Sequence, residues 1–139
     1  MNVIEGTEQG RTLAELQGIP HEIGDAIACL AEAELEAGRV ETARAILEGL
    51  VVTNHEDAGA WALLSQAHRR LGQPLAARFC AEVATKLAPA DPFVRLTRAE
   101  SLLATPGGDR EDACAELRAV VADREVGERA RALLGALSQ

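Results

Sequence analysis

The chain has no tyrosine, and Trp61, Phe79 and Phe93 are its only aromatic residues. A sandwich or barrel core, built on aromatic and β-branched side chains, therefore has little to be made from. Cysteine is also scarce. Cys29, Cys80 and Cys114 stand alone, with no C-x-x-C and no metal-ligand spacing. An odd number of cysteines, each inside an apolar helical pattern, predicts reduced thiols acting as small core residues, and no bound metal. No apolar run approaches the length of a membrane span, and the opening MNVIEGTEQG carries neither the basic nor the apolar region of a leader. The expected location is cytoplasmic. Positive charge is in short supply too: 14 Lys and Arg against 22 Asp and Glu give a net charge of −8. The acids are spread along the chain and serve mainly solubility, and their excess argues against nucleic acid and anionic membrane as partners.

What is present points to helices. Apolar residues make up 47% of the 139 positions, and Ala and Leu, both strong helix formers, dominate them. The length suits one domain with a real core. The most ordered stretch is 58–91, AGAWALLSQAHRRLGQPLAARFCAEVATKLAPAD. It fits the tetratricopeptide pattern, W-x2-L-G-x2-Y followed by A-x3-F and P in a period of about 34 residues. Trp61, Leu64, Ser65 and His68 fill the first block, Ala77 and Ala81 the second, and Pro89 closes it. Gly72, Gln73 and Pro74 end one helix and begin the next, proline being suited to a first helical turn. The stretch predicts an antiparallel helical hairpin.

The same period extends in both directions. In 24–57, Ile27, Leu30, Gly38 and Ala43 fall where Trp61, Leu64, Gly72 and Ala77 fall in 58–91. Ile23, Ile27, Leu30, Ala31 and Leu35 mark its first helix. A third unit, 92–125, opens on Asp91 and Pro92, a carboxylate cap before proline, with Asp109 capping its second helix after a longer turn. Ahead of the repeats, Thr12 and Glu15 form a capping box for a short helix ended by Gly18 and Pro20. After them, 125–137 reads as a capping helix whose polar outer face comes from Arg124, Glu128, Arg129 and Arg131. The predicted fold is all-α: three tandem tetratricopeptide hairpins in a right-handed α-solenoid. Residues 11–139 form the single domain, and 1–10 a flexible N-terminus.

Catalysis finds no foothold. His21, His55 and His68 are far apart in this scheme, and none has a Cys or carboxylate at ligand spacing on its own helix face. Glu32, Glu34 and Glu36 alternate, which scatters them around a helix. Gly107-Gly108 lacks the rest of a phosphate-binding motif. No enzyme activity and no cofactor are expected.

Beyond the generic repeat, the chain resembles the LcrH/SycD family of type III secretion chaperones. The resemblance rests on RTLAELQGIPHEIGDAI before the first repeat, GLVVTNHEDAGAW at the first junction, and APADPFVRLTRAESLL at the third unit. It implies a cytoplasmic chaperone that holds an extended segment of a hydrophobic, translocator-type client in a concave groove until export, without nucleotide. It also makes the N-terminal helix a candidate homodimer surface. The family's groove is rich in Tyr and Phe, and this chain departs from that.

In such hairpins the first helix of each unit lines the groove. That places Ala28, Glu32 and Leu35 of the first unit there, with Gly59, Ala62, Gln66 and Arg69 of the second. The third contributes Phe93, Leu96 and Glu100. Small residues would leave room, Gln66 would bond a client backbone, and Phe93 would anchor the client while adding little to repeat stacking. The other reading is a general repeat scaffold bridging folded partners, unrelated to secretion.

Overall fold

The computed structural model describes residues 11–139. The flexible N-terminus expected for 1–10 lies outside them. The helices run α1 Leu13–Leu16, α2 His21–Glu36, α3 Val40–Thr53, α4 Ala58–Arg70, α5 Pro74–Leu87, α6 Pro92–Ala104, α7 Arg110–Ala119 and α8 Gly127–Leu137, with no strand among the described residues.

The local signals act where they were read. The Thr12 hydroxyl accepts from the Glu15 amide at 3.1 Å while the Glu15 carboxylate accepts from the Thr12 amide at 3.4 Å, closing the box that starts α1. Asp91 accepts from the amides of Phe93 and Val94 at 2.9 and 3.1 Å. Gly72 takes φ +73° in the turn between α4 and α5, a conformation that costs glycine little. The last hairpin differs from expectation. Helix α7 stops at Ala119, and α8 begins only at Gly127. Between them Asp123 accepts from the amides of Glu125 and Val126, which organises a turn where helix was expected.

Helices α2–α3, α4–α5 and α6–α7 pack as antiparallel pairs, and α4 also touches both α2 and α6, so the first helices of the hairpins lie side by side. Alanine makes this approach close: Ala43, Ala60, Ala67, Ala77, Ala81, Ala84, Ala99 and Ala113 are fully buried. Ser65 stands where the repeat pattern has glycine, and its hydroxyl donates to the Ala77 carbonyl across the hairpin at 2.6 Å. Trp61 is half-buried, donates from Nε1 to the His55 carbonyl at 2.9 Å, and meets Phe79 edge-on.

The core has three parts: one over α2–α5, one over α6–α8, and a small one of Ala62, Ala84 and Val94 between the second and third hairpins. Phe93 packs against all three. At the N-terminal end the sequence expectation fails. Cys29 and Leu30 are exposed, Leu30 by 53%, although Cys80 and Cys114 are buried as expected. Among the described residues only the short helix α1 precedes α2, and it leaves Cys29 and Leu30 uncovered.

Candidate functional site

Because α2, α4 and α6 lie side by side, their facing sides line a cleft of about 510 Å³, to which the start of α8 also contributes. Of the ten residues assigned to a groove from sequence, Glu32, Leu35, Gln66, Arg69, Phe93, Leu96 and Glu100 line it. The other three do not. Ala62 has no exposed surface and belongs to the packing against Ala84 and Val94. Ala28 packs on the first core cluster, and Gly59 sits exposed at the start of α4, outside the cleft. Sequence reasoning missed Glu36, Leu63, Arg70, Glu125, Val126 and Arg129. Glu36, Leu63 and Arg70 lie next to expected lining residues on the same helices. Arg129 was assigned to the outer face of the last helix, but the turn at Asp123 brings it back toward the cleft.

The cleft has two chemistries. Leu35, Leu63, Phe93, Leu96 and Val126 supply apolar wall. The floor is polar and unusually enclosed, Gln66 and Glu100 each being only 7% exposed. The Gln66 amide donates to the Thr97 hydroxyl at 3.0 Å and to Glu100 Oε1 at 3.3 Å. Its own oxygen accepts from Arg69 Nη2 at 2.6 Å. Both ends of Gln66 are thus engaged within the protein, its two N–H groups fully and its oxygen through one of two lone pairs. Glu100 Oε2 takes Arg69 Nη2 at 3.2 Å and Arg129 Nη2 at 3.4 Å. Arg69 Nε is buried with no hydrogen-bond partner. Arg70 donates to the Leu35 carbonyl at 2.9 Å, tying α4 to α2. Glu32, Glu36 and Glu125 stand exposed at the rim.

A second, more apolar cleft of about 500 Å³ lies between α1, α2 and α3, with Ile19, Ile23, Ile27 and Ile46 in its lining. Each histidine meets a near neighbour in sequence: His55 with Glu56, His68 with Gln73, and His21 with Asp25, which corrects the sequence reading because that carboxylate lies one turn on along the same face of α2. Among the described residues no group of His, Cys, Asp and Glu could hold a metal ion. No helix there is long and apolar enough to cross a membrane.

No family model and no curated protein matches the chain by sequence. Solved structures do match by fold. A T3SS complex from Aeromonas hydrophila superposes with a TM-score of 0.79 at 22% identity, covering 98% of this chain and 94% of that one. The type III secretion translocator chaperone SycD from Yersinia enterocolitica gives a TM-score of 0.76 at 22% identity, covering 91% and 98%. SycD in complex with a peptide of the translocator YopD gives 0.68 at 21% identity, covering 86% and 95%.

Proposed function

We propose that this chain is a type III secretion chaperone that holds an extended segment of a translocator-type client in the cleft between α2, α4 and α6. The observation that carries the reading is the cleft itself: apolar side chains from three successive hairpins on one continuous wall, on a fold shared with a protein solved with a translocator peptide. An extended segment crossing that wall would bury alternate apolar side chains against Leu35, Phe93 and Leu96. Binding of this kind keeps an aggregation-prone segment out of water without chemical change, and the reading needs no cofactor. The isoleucines of the second cleft offer a self-association surface at the N-terminal end, which sedimentation of Ile23→Asp would test.

Co-expression tests the main reading. A membrane-active translocator from the same genome should be soluble only when this chain is present. Glu32→Trp, which adds bulk to an exposed position at the cleft mouth, should abolish the rescue while leaving helix content unchanged. A client equally soluble without the chain, or rescued equally by Glu32→Trp, would overturn it. The second outcome would favour a scaffold that works through another face.

A further inference from the structure

The floor of the cleft holds more donors than acceptors. Two guanidinium groups, Arg69 and Arg129, converge on the single carboxylate of Glu100, which also receives the Gln66 amide. The Gln66 oxygen already accepts one hydrogen bond from Arg69. That leaves Arg69 Nε buried and unpaired, and Arg129 half in solvent with one long contact at 3.4 Å. A buried donor without an acceptor is costly, and a guanidinium is built to take a carboxylate through two parallel hydrogen bonds. From this surplus we propose that the cleft reads one acidic side chain of its client, placed beside the apolar residue that fills the wall at Phe93 and Leu96. The inference rests on the client-binding reading above and deepens it.

The charge around the floor sharpens the specificity. Glu32 and Glu36 stand on the α2 wall and Glu125 at the α8 end. They repel a client that is acidic throughout, and favour neutral or basic neighbours around the single acid. A basic side chain at the floor is disfavoured, because it would meet two arginines whose shared carboxylate is already engaged. The recognised segment is thus apolar with one carboxylate, instead of apolar alone.

The test uses the full chain and short fluorescein-labelled peptides. Each peptide contains one leucine, followed at successive positions by Glu, Gln or Lys, and affinity is read by fluorescence anisotropy. At one position the Glu peptide should bind about tenfold tighter than the Gln peptide, with Lys weaker than both. The ratio should shrink in high salt and collapse toward unity in Arg129→Gln, an exposed position whose loss leaves the fold intact. Arg69→Gln, with helix content checked by circular dichroism, should do the same. If peptides bind and Glu32→Trp blocks them, but Glu and Gln bind alike or the preference survives both arginine variants, this inference fails and the client-binding reading stands. If no peptide binds, or Glu32→Trp changes nothing, both fail.

Discussion

Arg98 grips Asp112 with both ends of its guanidinium, Nη1 at 2.8 Å from Oδ1 and Nη2 at 2.6 Å from Oδ2. Its remaining nitrogen, Nε, donates to Glu82 at 3.0 Å, and Glu82 also accepts from Arg78 at 2.9 Å. One side chain of α6 therefore fastens α5 of the preceding hairpin to α7 of its own. Glu82 and Asp112 are 37% and 36% exposed, so solvent screens much of this attraction. Arg98→Met should lower unfolding free energy by about 1–3 kcal/mol, between the values of surface and buried pairs. Denaturant titration would measure it.

Acid should loosen the same junction. The hydrogen bond from Arg98 holds the Asp112 carboxyl below its usual range, so the folded chain takes up that proton less readily than the unfolded chain does. The resulting stability is present above the unfolded value of about 4 and is lost as pH falls through the folded one. Glu116 acts in the opposite sense. Burial raises its pKa, so between its ordinary and its raised value stability falls as pH rises. Thermal melts at pH below about 4 should show a shallower acid decline for Asp112→Asn than for the parent.

Gly108 should tolerate no side chain. A Cβ there would lie 2.0 Å from the Leu102 carbonyl oxygen, a backbone atom that cannot swing aside. Gly108→Ala should cost at least about 1–3 kcal/mol as the turn before α7 shifts. Gly49, in the middle of α3, is the matched control, since nothing lies within 4 Å of its added Cβ. Gly49→Ala should stabilise by about 0.5–1 kcal/mol. Melting temperatures moving the same way for both variants would contradict this.

Phe93→Ala should affect folding and binding together. The sequence reading gave Phe93 a purely ligand-facing role, but the ring is half-buried against all three core clusters. Truncation should cost about 2–4 kcal/mol of stability, near the low end for buried aromatic residues. Client affinity should be compared only under conditions where circular dichroism shows the variant folded.

The thiols should separate by depth. Burial pushes the Cys80 thiol up to about 11, and Cys114 is buried as well, whereas Cys29 is exposed. Iodoacetamide at mildly alkaline pH should modify Cys29 in the native protein and reach Cys80 and Cys114 only after denaturation. Mass spectrometry of peptides would show which sites carry the label.

The contrast between Ala77 and Cys29 shows how far the sequence could be read. Ala77, at a repeat position, is fully buried where the period placed it. Cys29 lies in a helix with an equally regular apolar stripe, next to Leu30 of that stripe, yet both are exposed, because periodicity reveals that a face exists and not whether a neighbour covers it. The same limit applies to the site. Leu35, Gln66 and Phe93 follow from hairpin geometry, since each is fixed within its own unit. Ala62 was misplaced because a rotation of a few tens of degrees about the helix axis separates cleft from inter-hairpin packing. Arg129, read from its own helix alone as part of the outer face, lines the cleft instead. Its orientation depends on the turn held by Asp123, and the D-x-E-V sequence there was the available signal.

Val126 and Arg129 have a consequence for how such a protein can change. Arg129 belongs to the terminal helix and Val126 caps its start, yet both stand in the wall of the cleft. A helix that seals the last hairpin thereby also sets a boundary on what can be held. Inserting a fourth hairpin ahead of Gly127 would carry that wall away from Glu100, leaving Arg69 alone to face the carboxylate. The cleft would lose that part of its lining, so adding a repeat here would reshape it instead of simply lengthening it.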